Sequence, residues 1–140
     1  MPDWSIRAAV ERDIPAVLTL WAAAGGAATV SDTNEGLARL LATDPGALLL
    51  ADSSGAPIGS LIAGWDGWRG SFYRLAVHPD QRRRGVALGL LREGERRLRE
   101  RGAVRLTAIV IDESAPAMAF WKAAGYQLQQ HRARFVRPAD

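Results

Sequence analysis

The chain contains no cysteine and only two histidines, His78 and His131. That excludes a disulfide framework, a thiolate nucleophile and any metal site built on thiolates, and it leaves too few imidazoles for a structural zinc centre. Long apolar runs are missing as well, since nothing approaches the roughly 18 uninterrupted apolar residues of a membrane-spanning helix. The start, MPDWSIRAAVERD, has an acid at Asp3 and lacks the basic stretch and apolar run of a secretory leader. These absences point to a cytoplasmic protein that uses no metal and has no membrane partner.

What is present is an ordinary globular composition: 140 residues, 48% hydrophobic and 24% charged. The expectation is one domain, 1–140, whose elements all contribute to a shared core, because a chain of this size must bury about two thirds of its unfolded surface. The net charge of +3 is unevenly spread. The second half, from Ser71 onward, holds most of the arginines, so an anionic ligand is expected to meet that half.

Trp4 to Val10 reads as a first strand, after which Asp13 is placed to cap a helix running to about Ala24 with Ile14, Val17, Leu18, Trp21 and Ala24 as its apolar stripe. A second helix follows Asp32, whose spacing to Glu35 resembles a capping box, with Leu37, Leu40 and Leu41 on its inner side. Ala47 to Ala51 and Ile58 to Ala63 flank DSSGAP, which is hairpin chemistry. Ser71 to Val77 makes a fourth strand. A long helix then reaches Arg101, Val104 to Ile111 is a fifth strand, and a helix from about Ala115 to Ala124 precedes two short terminal strands, Tyr126 to Gln130 and Arg132 to Arg137. The order predicts an α/β fold, a mixed sheet with helices on both faces, and a right-handed parallel crossover between Ser71 and Ile111.

The sharpest local feature is QRRRGVAL, Gln81 to Leu88, between a strand and the start of a long helix. Such a start offers unpaired N–H groups and a partial positive charge, Gly85 removes a side chain that would block close approach, and Arg82, Arg83 and Arg84 raise the local potential. A phosphate or pyrophosphate fits this chemistry. The spacing is neither GxGxxG nor GxxxxGK[ST], so neither a dinucleotide nor ATP is indicated.

With Arg82, Gly85 and Ala87 in the spacing Arg-x-x-Gly-x-Ala directly after LAVHP (Leu75 to Pro79), and AFWKAAGY near the end (Ala119 to Tyr126), the whole chain resembles the GNAT superfamily of acetyl-CoA-dependent N-acyltransferases. GWDGWRGSFYRLAVHP, Gly64 to Pro79, is similar to the small YpeA-like bacterial branch in particular. The resemblance implies a GNAT-like fold, a mixed and mostly antiparallel sheet of about six to seven strands flanked by four helices. It implies acetyl-CoA as acyl donor, its pyrophosphate held by backbone amides of Arg83, Arg84, Gly85, Val86, Ala87 and Leu88 and its pantetheine against the backbones of Leu75, Ala76 and Val77. The main-chain N–H near Val77 would polarise the thioester carbonyl.

Two positions depart from the family pattern. Trp121 stands where a Tyr often protonates the leaving thiolate, and Ser114 where an Asn often contacts the cofactor. An indole N–H donates a hydrogen bond but releases no proton near neutral pH, and a thiol of pKa about 8.5 leaves readily unaided. For a base the sequence offers Asp66, Tyr73 and, past the fifth strand, Asp112 and Glu113. Trp65 and Trp68 around Asp66, with Arg69, suggest an aromatic-walled acceptor pocket, and Gly25 to Thr33 its other wall. The expected activity is acetyl transfer to a primary amine of a small molecule or peptide by direct attack in a ternary complex. The alternative is a non-catalytic acyl-CoA-binding sensor. Nucleic acid is not an expected partner, because Glu93, Glu95 and Glu100 interleave the helix arginines. The terminal strands could pair or exchange between two copies in a homodimer.

Overall fold

The computed structural model describes residues 3–25, 28–110 and 115–139. They fall into two compact units, Met1–Ile109 and Val110–Asp140.

The first unit is a five-stranded sheet in the order β1-β2-β3-β4-β5, with β1 Ser5–Ala8, β2 Leu48–Ser53, β3 Ala56–Trp65, β4 Gly70–Val77 and β5 Leu106–Ala108. β1 to β4 pair antiparallel, and β4 with β5 parallel across the helix α3, Val86–Arg101. The helices α1, Ile14–Ala24, and α2, Asn34–Thr43, pack on the sheet, where Ile14, Val17, Leu20, Trp21 and Leu37 form one core layer with Leu48 and Leu50. Leu49, between those two leucines, is buried on the α3 side, so the LLLA run serves two apolar layers rather than one. Gly59 and Gly94 let α3 lie close to the sheet: a Cβ on Gly59 would come within 2.8 Å of Val86, and one on Gly94 within 2.9 Å of Leu61 and Phe72. That close seating fixes where the N-terminus of α3 stands relative to β4.

Several expectations are corrected. Asp13 does not cap α1; its carboxylate takes the Val10 N–H at 2.8 Å and the Arg7 guanidinium at 2.7 Å. Arg7, through that bond first, lowers the Asp13 carboxyl to about 2. Its contribution to stability is therefore present above the ordinary carboxylate range and lost as pH falls toward 2. The α2 cap is Thr33, accepting from Gly36 N–H at 2.9 Å, and Asp32 is free for another role. β5 is three residues long: Val104 lies exposed outside the sheet, and Ile111 lies outside the described residues. Among the described residues the sheet thus has five strands where six to seven were expected.

The second unit contains α4, Ala115–Ala123, on which Trp121 packs edge-to-face against Phe120 and Tyr126, with ring centroids 5.5 and 5.1 Å apart. Residues 126–139 form no strand, although Tyr126 to Gln130 and Arg132 to Arg137 read as two. Phe135 and Val136 are exposed, so that stretch buries too little apolar surface within its unit to support a hairpin. Ser114, Asp112 and Glu113 lie outside the described residues.

Candidate active site

β4 changes character halfway along. Ser60 pairs with Ala76 and Ile62 with Tyr73, so the single residue Leu61 faces both Arg74 and Leu75: a β-bulge. Arg74 has φ +55, an uncommon backbone state for a residue with a side chain. The bulge also moves side chains between faces. Phe72 packs at Gly94 of α3, yet Arg74, which an unbroken strand would place on the same face, lies over the Trp21 ring of α1 at 4.9 Å.

The N–H directions reverse with it. Gly70 N–H donates to the Arg105 carbonyl on the β5 side at 3.1 Å, whereas His78 N–H donates to Ile58 on the β3 side at 2.8 Å. In an unbroken strand, where N–H directions alternate, these two even-numbered residues would point the same way. The extra residue at the bulge therefore turns Leu75 and Val77 N–H outward, away from β3. β5 pairs only with Gly70, Ser71 and Phe72, and Ile109 N–H reaches Phe72 at 3.4 Å. Among the described residues, Tyr73 to Val77 thus have an open edge. Ala76, expected to share that edge, instead turns its backbone toward Ser60, its cross-strand partner.

A buried chain of hydrogen bonds holds the bulge. Trp21 Nε1–H donates to Ser60 Oγ at 2.8 Å, and the Ser60 hydroxyl donates to the Arg74 carbonyl at 2.9 Å. Ser60→Ala should leave the buried indole N–H without an acceptor and the bulge without its tie, lowering stability by about 1–3 kcal/mol. Chemical denaturation reads the loss, and an unchanged midpoint would remove this chain from the account.

Beyond Val77 the chain passes through a single 3-10 turn, Pro79–Gln81, into the loop before α3. Arg83 and Gly85 are both in the left-handed region, at φ +64 and +79. The first α3 bond runs from Gly89 N–H to the Gly85 carbonyl at 3.0 Å, which leaves Val86, Ala87 and Leu88 N–H without intrahelical acceptors. Of the three arginines, Arg82 and Arg83 are exposed. Arg84 is instead turned to Gln81 and Asp3, and its carbonyl accepts from Trp4 Nε1–H at 3.2 Å. The Val86 side chain is core, so its contribution to an anion site is its backbone.

The structure does not bring Asp66 to this edge. Asp66 occupies the β3–β4 turn, where its Oδ1 accepts from Trp68 and Arg69 N–H at 2.8 and 2.6 Å. Those bonds, the Arg69 one foremost, hold its carboxyl below the usual carboxylate range. Since Trp65 pairs with Gly70 and Gly59 with Val77, that turn is at the opposite end of β4, on the order of 20 Å away along the strand. Trp65, Trp68 and Arg69 share it, with Arg69 stacked on the Trp68 ring at 3.9 Å. Tyr73, 40% exposed, is next to the bulge, its ring beside Gly64. Sequence reasoning missed Ser60 and Arg74. The one available signal was an arginine inside the apolar run YRLAV.

A parallel β4–β5 pairing that ends at Phe72, ahead of the bulge, together with a helix start that offers free amides, suits an acyl-CoA-dependent acyltransferase. The family model of the Acetyltransferase (GNAT) family matches residues 15–126, and the chain belongs to that family. It is 35% identical over 124 residues to Acetyltransferase YE1169 of Yersinia enterocolitica, covering 89% of this chain and 88% of that one. With Acetyltransferase ECA0875 of Pectobacterium atrosepticum it shares 34% over 122 residues, 87% and 86% of the two chains. Among solved structures it is similar in fold to Ard1 from Thermoplasma volcanium, with TM-score 0.81, 19% identity and 91% and 84% of the two chains covered. A second is AAC(6')-Iy in complex with the bisubstrate analogue CoA-S-monomethyl-acetylneamine, with TM-score 0.74, 18% identity and 98% and 99% covered. The protein is thus a GNAT acetyltransferase, an acyl-CoA-dependent N-acyltransferase.

Proposed function

We infer that this enzyme moves the acetyl group of acetyl-CoA to a primary amine of a small molecule or peptide, by direct attack with both substrates bound. The observation that carries this reading is the open edge of β4, whose outward N–H groups at Leu75 and Val77 lead into the free amides at the start of α3. The amides of Arg83 to Leu88 hold the pyrophosphate, with Arg82 and Arg83 raising the local potential; Leu75 and Val77 backbones align the pantetheine; and Val77 N–H faces the carbonyl oxygen as negative charge develops on it. An extended arm of alternating amides suits a strand edge, and a diphosphate suits a cluster of N–H groups, so the residues present fit the donor.

No thiol or other side-chain nucleophile is needed. The amine nitrogen bonds the thioester carbon, the carbon–sulfur bond breaks, the thiolate leaves, and the ammonium proton passes to water or to the thiolate. Asp66, bound in its turn at the far end of β4, serves the hairpin, while Tyr73 beside the bulge is the side chain placed to hydrogen-bond an incoming amine. Trp121 acts by packing rather than as an acid: Trp121→Phe should keep kcat within a few-fold, and Trp121→Ala, which removes two edge-to-face contacts, should lower thermal stability. A loss beyond a hundredfold in a folded Trp121→Phe enzyme would assign the indole N–H a chemical role. Initial rates with both substrates varied test the direct route. Intersecting double-reciprocal lines are expected, and parallel lines would mean an acetylated enzyme.

A further inference from the structure

Arg74 has a role that holding the bulge does not use up. Its guanidinium meets Asp32, in the α1–α2 connection, through Nε to Oδ1 at 3.3 Å and through Nη2 to Oδ2. Both side chains are largely covered, 14% and 10% exposed. Asp32 Oδ2 also accepts from Thr29 N–H at 2.7 Å. Both carboxylate oxygens are therefore engaged, and a cationic acceptor would have to displace Arg74 to reach them. Nη1 of Arg74 makes no hydrogen bond among the described residues, and the side chain keeps part of its surface exposed. Asp32 and the Trp21 ring hold the fork in one orientation, so its free edge is a fixed pair of donors. It stands three residues from Val77, about 10 Å along the strand.

We propose that Arg74, oriented by Asp32 and Trp21, is the acceptor-selecting residue of this enzyme, and that it takes a carboxylate carried by the amine substrate. The acceptor class is an amine with a carboxylate a few bonds from its nitrogen, as in an amino acid or a short acidic peptide. A guanidinium edge matches a carboxylate in shape and charge, whereas a neutral carboxamide offers one weaker acceptor oxygen. This rests on the acetyl-transfer reading above.

The test compares amine acceptors in matched pairs, free carboxylate against carboxamide, by thiol release from acetyl-CoA, with CoA affinity measured by calorimetry on the same proteins. The wild type should favour the carboxylate at least tenfold in kcat/KM. Arg74→Gln should abolish that preference through the KM of the carboxylate acceptor, with CoA affinity unchanged. Arg74→Lys, which keeps a cation opposite Asp32 and so protects the fold, should retain only part of it. No preference in the wild type, or the same preference in both variants, overturns the subsite and leaves acetyl transfer standing. Absence of thiol release with every pair also overturns it, and loss of CoA binding in the wild type would then take the acetyl-transfer reading with it.

Discussion

Val77→Pro should lower kcat by about a hundredfold, close to 3 kcal/mol of transition-state stabilisation, while the protein stays folded. Proline removes one N–H and nothing larger than the isopropyl group. At Val77 that N–H points to the open edge of β4, and His78 makes the neighbouring bond to Ile58. Proline is accepted at edge positions whose N–H faces away from the ladder, so sheet pairing survives. CoA affinity should fall little, because the amides proposed to hold the pyrophosphate lie beyond the substitution. Single-turnover rates with saturating acetyl-CoA, alongside thermal unfolding, separate chemistry from folding. A folded variant with undiminished kcat would mean that Val77 N–H stabilises no developing charge.

Gly85→Val should weaken CoA binding at least tenfold, or about 1.4 kcal/mol. Two effects act together. Gly85 sits at φ +79, where a β-branched residue is strained by roughly 1–2 kcal/mol, and a side chain there would occupy open space at the start of α3. Among the described residues, nothing beyond its two chain neighbours comes within 4 Å of such a Cβ, so the substitution does not disturb the core. Gly85→Asn tells the two apart, since Asn tolerates this backbone and still carries a side chain. An affinity loss with Asn as large as with Val points to blocked approach, and a small loss with Asn points to loop conformation. Unchanged calorimetric affinity in folded Gly85→Val would remove the pyrophosphate from this loop.

The loop was readable in advance because its chemistry is local. A glycine at a strand-to-helix turn followed by an apolar-periodic helix announces free amides wherever the rest of the chain goes. The strands β1 to β4 were legible for the same reason, each alternating or apolar and bounded by turn residues such as DSSGAP. The bulge was not, because nothing in SFYRLAV marks one extra residue. Only the cross-strand register to Ser60 and Ile62 shows it, and with it the reversal that takes Ala76 off the edge and puts Val77 on it. Arg74 and Asp32 are 42 residues apart in the chain, and nothing local in either segment announces that they meet. Asp66 misled through proximity in sequence. It follows the third strand directly, yet the hairpin places that strand end farthest from the loop. Arg97 of α3 pairs with Asp44 under partial cover, another long-range contact that helical periodicity cannot report.

The proposed role of the open β4 edge and the free amides of the α3 start is transfer from acetyl-CoA to an amine. It is tested most directly by thiol release from acetyl-CoA in the presence of polyamines, amino acids, aminoglycosides and peptides, with CoA binding measured in parallel. Saturable, acceptor-dependent thiol release is expected with at least one amine class, reduced by both Val77→Pro and Gly85→Val. Tight CoA binding without thiol release from any acceptor would contradict it and leave a binding protein in place of an enzyme.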